Sequence, residues 1–242
     1  MTFSIAARCA RNGMLGVATS SRALAAGGIV PYVKSGIGAI ASQSFVNPYL
    51  GVDGLTLLEQ GLPAERALER LIEEDRGRDL RQLGIVDQDG RAAAYTGARC
   101  IPWAGSVTGG GYVCLGNILR SDRVVKEMAT EFERSLDEEL PERLMRTLEA
   151  GQAAGGDRRG RQSAGITVFG TEEYPWVNLR VDDHEDPVSE LRRVLEVWKQ
   201  EELPYMQFMP TRADQTPSWD VMIAERDKIE QQLEEEETVK ER

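Results

Sequence analysis

The chain predicts a layered α+β domain in which helices cover sheets. Two patterns predict it: short apolar strands joined in hairpins by tight turns, and helices that arrive in pairs between the strand groups. A parallel βαβ sheet would instead alternate single strands with single helices. Phe3, Ile5 and Ala7 alternate with Ser4, Ala6 and Arg8, the period-two pattern of a strand with one buried face. Asn12-Gly13 is a hairpin turn, and Leu15 to Thr19 is the returning strand. The small, glycine-containing stretch 20–28 reads as a loop. Residues 29–33 and 36–43 form a second extended pair broken at Lys34-Ser35-Gly36, apolar enough to be buried on both faces.

Two helices follow. Leu50 to Gln60 is stopped by Gly61, and Pro63 opens the next, in which Ala67, Leu68, Leu71 and Ile72 form one apolar stripe. Leu83 to Val86 and Ala92 to Tyr95 flank an Asp87-to-Gly90 turn. Thr108 to Gly111 reads as a glycine loop before a short strand, Tyr112 to Leu115, that ends at Gly116-Asn117. The second helix pair starts near Ser121 or Asp122 and at Pro141, the latter helix expected to end at Gly151. Two more strands, 164–169 and 177–181, precede a last amphipathic helix that begins at Asp186-Pro187. Beyond Pro204 the composition changes to an apolar cluster (Tyr205, Met206, Phe208, Met209) and a highly charged tail from Lys228 to Arg242.

Charge excludes several classes of partner. With 40 acidic residues against 29 basic ones among 242, the net charge is −11, which argues against nucleic acid or an anionic membrane surface. No apolar run approaches the ~20 residues of a membrane span. The start lacks the regions of a signal peptide, so a cytoplasmic location is expected. Cys9, Cys100 and Cys114 are widely spaced and contain no CxxC pair, as in a reducing compartment.

The residue that carries the chemistry is Thr2. A small residue at position 2 lets an aminopeptidase remove Met1, leaving a threonine with a free α-amine. That residue holds a nucleophile and its base together, because an α-amine titrates near ~8 and can accept the hydroxyl proton.

The strings Thr2-Phe3-Ser4-Ile5-Ala6-Ala7, Gly16-Val17-Ala18, Val30-Pro31 and Gly36-Ile37-Gly38-Ala39 with Gln43 are distinctive together. So are Cys100-Ile101-Pro102-Trp103-Ala104-Gly105, Gly116-Asn117-Ile118-Leu119, the stretch 151–163 and Leu179-Arg180-Val181-Asp182-Asp183-His184. On these residues the chain resembles a largely bacterial family, domain of unknown function 1028, over about residues 2–200. The resemblance implies an N-terminal-nucleophile (Ntn) hydrolase-like fold: a four-layer αββα sandwich of two antiparallel sheets, with Thr2 in the nucleophile's place. It divides the chain into an Ntn-hydrolase-like domain, 1–203, and a C-terminal extension with an acidic helical tail, 204–242. Arg22 stands where the family's pattern usually has Lys.

Around Thr2 a set of supporting residues is expected. Arg22 and Lys34 are the cations that could keep the amine neutral and stabilise developing negative charge. An oxyanion needs preorganised donors, expected from Asn117 or from the glycine loop that contains Gly110. Gln43 is a further substrate contact. The stretch 155–163 is the densest basic patch in an acidic protein. Arg158, Arg161, Gln162 and Ser163 are its candidates for binding an anionic group, which guanidinium holds bidentately. Asp182, Asp183, His184 and Asp186 lack metal-ligand spacing and read as a turn before a helix, so no metal and no cofactor are expected.

The leading expectation is an Ntn-type amidohydrolase that cleaves a non-peptide C–N bond of a small, anionic metabolite, working as a homo-oligomer. The second is a catalytically silent Ntn-like scaffold that binds a small ligand or a partner protein.

Overall fold

A computed structural model of the chain describes residues 2–206, 208–216 and 219–240. The strands are β1 (Thr2–Arg8), β2 (Leu15–Ser21), β3 (Pro31–Lys34), β4 (Gly38–Ser44), β5 (Arg81–Asp87), β6 (Ala92–Thr96), β7 (Gly105–Gly109), β8 (Tyr112–Gly116), β9 (Ser163–Phe169) and β10 (Pro175–Val181). The helices are α1 (Pro48–Glu59), α2 (Ala64–Glu74), α3 (Arg123–Arg134), α4 (Leu140–Ala153), α5 (Pro187–Glu201), α6 (Leu203–Met206) and α7 (Trp219–Lys240).

All strand pairs are antiparallel and fall into two sheets, ordered β10-β9-β2-β1-β8-β7 and β3-β4-β5-β6. The sheets pack face to face, β1 on β4 and β5, and β5 on β8. Helices α1 and α2 cover the smaller sheet, α3 and α4 the larger. The result is the four-layer αββα sandwich that the resemblance implies. Because the strands between the sheets are covered on both faces, β1, β2, β4 and β8 are buried almost throughout.

Three local expectations change. Thr108 and Gly109, expected in a glycine loop with Gly110 and Gly111, instead end an edge strand, Gly105–Gly109, and only the tip at Gly110-Gly111 turns. Strand β3 is half-buried rather than buried on both faces, because it lies at the edge of its sheet. Gly151 does not end α4 but sits within it. A Cβ there would come within 2.8 Å of Met128 Cγ and 3.1 Å of the Phe3 ring, so the glycine permits close packing of α4 on α3 and β1.

The chain divides into two compact units, 1–195 and 196–242. In the second, an apolar cleft of about 330 Å³ is lined by Tyr205, Phe208, Met209, Val221, Met222 and Ile229. No helix among the described residues is long and apolar enough to cross a membrane.

Candidate active site

Hairpin geometry decides where the site lies. The five hairpins β1–β2, β3–β4, β5–β6, β7–β8 and β9–β10 all turn at one end of the sandwich. Contacts between their tips show it: Arg8 N–H bonds the Gly111 carbonyl, Gly111 N–H the Gly90 carbonyl, and Ser35 Oγ the Gly170 carbonyl. Thr2 is at the other end, where the chain crosses between layers.

There Thr2 is held on three sides. Its hydroxyl donates to Ser21 Oγ at 3.2 Å, across the β1–β2 pair. Its carbonyl accepts the Asn117 backbone N–H at 3.1 Å and Gln43 Nε2 at 3.3 Å. Met1, whose removal would free the Thr2 amine, lies outside the described residues. Thr2 itself is 4% exposed.

Beneath Thr2 runs a buried polar network that sequence reasoning did not find. Its hub is Gln82 on β5, fully buried. Gln82 Nε2 donates to the Gly105 and Gly116 carbonyls at 3.2 and 2.8 Å and to Thr96 Oγ1 at 3.0 Å. Carbonyl oxygens only accept, so this end of the amide must be the NH2 and the other the oxygen. Gln82 Oε1 then accepts from Gln43 Nε2 at 2.8 Å and from Asn117 Nδ2 at 2.9 Å. Gln43 Oε1 in turn accepts the Ser4 hydroxyl at 2.6 Å, while Ser4 and Thr19 hydroxyls lie 2.8 Å apart. Ser4 has a single proton, so Thr19 is the donor to Ser4. Every orientation in the network follows from these constraints. The one atom left over is Asn117 Oδ1, buried and without a partner among the described residues.

Asn117 also lines a cleft of about 260 Å³ with Ser44, Phe45, Ile101, Ile118 and Arg159. Two of these residues hold left-handed backbone without being glycine, Ser44 at φ 73° and Ile118 at φ 50°. Such conformations are costly for a β-branched residue and cluster at functional sites. The cleft is apolar on Phe45, Ile101 and Ile118 and polar on the rest.

The basic stretch lies along the same end. Leu119 pairs with Asp157, and Arg158 N–H donates to the Ile118 carbonyl at 3.0 Å. Asp157 organises it: its buried carboxylate accepts the Arg22 and Arg159 N–H groups and ion-pairs the Arg159 guanidinium at 2.9 Å. Arg22 donates through its guanidinium to Gln162 Oε1, and Gln162 Nε2 reaches Asp183 at 3.1 Å. Arg158 is exposed. Arg161 is exposed and ion-paired with Asp186 at 3.0 Å. Ser163 is fully buried and clamps the loop after β2, donating to the Ala23 carbonyl at 2.6 Å and accepting Ala26 N–H at 3.0 Å.

Thr2, Gln43, Asn117, Arg22, Gln162, Ser163 and the basic stretch therefore share one end. Lys34 and Gly110 do not. Both sit in or beside hairpin turns at the far end, where Lys34 ion-pairs Glu59 at 2.6 Å. Of the two expected sources of oxyanion donors, the glycine tip lies at the far end, whereas Asn117 stands beside Thr2, its backbone N–H on the Thr2 carbonyl and one hydrogen of its NH2 on Gln82 Oε1. No group of residues that could hold a metal occurs among the described residues. Cys114 is fully buried, and burial raises its thiol above the ordinary value, which disfavours the thiolate a cysteine nucleophile needs.

Comparison with known proteins agrees with this architecture. The crystal structure of protein SPO2555 from Silicibacter pomeroyi, itself assigned to DUF1028, is 31% identical. It superimposes with a TM-score of 0.82 over 88% of this chain and 97% of that one. Anbu, the ancestral β-subunit, from Yersinia bercovieri is 11% identical with a TM-score of 0.39, covering 86% of this chain and 98% of that one. The Gly-1 mutant of Anbu from Hyphomicrobium sp. strain MC1 is 12% identical with a TM-score of 0.41, covering 84% and 97%. Likeness at that level carries no argument about this chain. No curated protein matches the sequence. The model of a family of unknown function, DUF1028, matches residues 2–191, and the chain belongs to that family.

Proposed function

We propose that the protein is an Ntn-type amidohydrolase whose nucleophile is Thr2. The observation that carries this reading is the placement of Thr2: first residue of a central strand, fixed by Ser21, Gln43 and Asn117, next to a cleft that Asn117 also lines. In the reaction the Thr2 hydroxyl attacks the carbonyl carbon of a non-peptide amide while its α-amine takes the hydroxyl proton. Collapse of the tetrahedral adduct breaks the C–N bond, and the amine returns the proton to the leaving nitrogen. Water then attacks the resulting ester and releases the acid, restoring the hydroxyl.

The substrate would be small and anionic, met in the cytoplasm. Arg22, Arg158, Arg159 and Arg161 at this end support that choice. Two of them already face carboxylates, Arg159 on Asp157 and Arg161 on Asp186. The enzyme would work as a homo-oligomer, a reading supported by exposed Tyr205, Met209, Val221 and Met222 in the C-terminal unit.

Native mass spectrometry of the protein made without an N-terminal tag reads both the fate of Met1 and the number of chains per particle. Loss of one methionine is expected. Thr2→Ala should then lower turnover of an N-acyl carboxylate found by screening by about 1,000-fold or more. Full turnover in Thr2→Ala would overturn the reading. The silent-scaffold alternative draws on the neutrality of the groups that hydrogen-bond Thr2 among the described residues, Ser21, Gln43 and Asn117. With Met1 retained, no base would remain beside the hydroxyl, and ligand binding without turnover would be the expected behaviour.

A further inference from the structure

The oxygen of Asn117, without a partner among the described residues, is the strongest unexplained feature of this end. A buried amide oxygen without a donor is costly, so its persistence asks for a function. A flipped amide is not the answer. Gln82 Nε2 faces carbonyls, so Gln82 Oε1 must receive Asn117 Nδ2, and the atom left over is an acceptor. It cannot donate to an oxyanion. It can only accept, from an N–H or an O–H, and the polar groups packed beside it narrow the choice.

The strand geometry indicates which one. Register between β1 and β8 runs out at Phe3↔Gly116, and Thr2 lies one step further, facing Asn117. The Thr2 carbonyl accepts Asn117 N–H. In an antiparallel strand the N–H and C=O of one residue point towards the same neighbour, so the Thr2 nitrogen also faces Asn117. The ladder pattern takes one N–H to the Asn117 carbonyl, and a freed amine carries further N–H groups for the side chain.

We propose that Asn117 Oδ1 receives an N–H of the Thr2 α-amine once Met1 has been removed, making Asn117 a positioning residue for the catalytic base. This rests on the Ntn reading above. One hydrogen bond to Oδ1 fixes rotation about the Thr2 N–Cα bond, and so the direction of the nitrogen lone pair that must meet the hydroxyl proton. A neutral amide suits the task better than a carboxylate would. An adjacent negative charge would stabilise the ammonium form and withdraw the lone pair at neutral pH. Gln82 and Gln43 serve the same end at one remove, since they hold the Asn117 amide in the orientation that exposes the acceptor.

The test is a titration of the Thr2 amine that needs no substrate. Protein labelled with 13C-threonine, with Thr2 assigned through Thr2→Ser, reports the amine through the Thr2 carbon shifts. Asn117→Asp should raise the midpoint by about one pH unit or more, as expected of a carboxylate close to the ammonium. Asn117→Ser, which keeps a small acceptor, should move it less. A freed Thr2 whose midpoint is the same in wild type and Asn117→Asp overturns the inference while leaving the hydrolase reading intact. Retained Met1 overturns both. Should Asn117→Asp fail to fold, a crystal structure of the processed wild-type protein decides. A Thr2 N to Asn117 Oδ1 distance of at most ~3.2 Å is expected, and a nitrogen bonded elsewhere refutes it.

Discussion

The two ends of the sandwich solve the same problem in opposite ways. Both must return ten antiparallel strands, and both carry polar residues where strands stop. At the hairpin end the special backbone conformations fall on glycine, as at Gly36 (φ 65°) and Gly90 (φ 83°). Its buried acid, Asp87, is fully satisfied: it accepts N–H groups from Ala64, Asp89 and Arg91 and the Arg91 guanidinium. At the Thr2 end the left-handed positions include Ala25, Ser44 and Ile118, and a buried carboxamide oxygen has no partner among the described residues. The hairpin end leaves its bends to glycine and satisfies its buried acid. The other keeps strain and an unmet acceptor around Thr2, which is the pattern expected when geometry serves chemistry.

Removing the hub of the Thr2 end should give the largest effect. Gln82→Met keeps the volume and apolar packing but strands the Gly105 and Gly116 carbonyls and the Asn117 NH2 and leaves Gln43 Nε2 with the Thr2 carbonyl alone. With about 1–3 kcal/mol for each buried group left unpaired and partial relaxation, a loss of about 3–5 kcal/mol is expected. Urea unfolding followed by circular dichroism measures it. A loss below about 1 kcal/mol would mean that the network is dispensable and that its precise orientation of Asn117 needs another explanation.

Much of this contrast was legible in the chain. Strand positions, paired helices and Thr2 at the start of the first strand come directly from apolar periodicity and position, but that strand is buried on both faces where its period-two pattern predicts one. Lys34 and Gly110 were misplaced for a reason visible in hindsight. Lys34-Ser35-Gly36 is itself a hairpin turn, as Asn12-Gly13 is. Hairpin turns that close consecutive antiparallel pairs share an end, so a residue in one cannot stand beside Thr2, seven residues of strand away. Ser163 was seen as part of a basic patch, whereas β2–β9 pairing buries it opposite Ser21. Gln82 was invisible because a glutamine before an apolar run gives no sign of which layer it will face. That depends on packing β5 against β1 and β8, a contact between segments far apart in sequence.

The hairpin end predicts a smaller, pH-dependent effect. Burial tends to raise the Asp87 carboxyl, but Arg91 and the three N–H groups outweigh it and hold the group below the ordinary carboxylate value. The folded state therefore favours the ionised form. Its contribution is complete above the unfolded value of ~3.9 and is lost as pH falls through the lower folded value. The Arg91 side chain is 48% exposed, so most of the contribution belongs to the backbone donors rather than the ion pair. Asp87→Asn should cost about 2 kcal/mol at pH 7, and the gap to wild type should narrow on acidification below pH ~4. Equal gaps in urea midpoints at pH 7 and pH 3 would show that the charge of Asp87 is not what the turn uses.

Lys34→Ala should have the smallest effect and sharpens the comparison most directly. Its ion pair with Glu59 joins side chains that are 43% and 51% exposed. Solvent screens such pairs to roughly 0–1 kcal/mol, so a shift near 0.5 kcal/mol or less is expected. Under the proposed hydrolase reading, turnover should stay within about twofold of wild type, since ~0.4 kcal/mol is all that a twofold change represents. A cation that worked with the Thr2 amine could not be removed so quietly. A tenfold loss of turnover with unchanged stability would bring Lys34 back to the chemistry and would break the division of labour between the two ends.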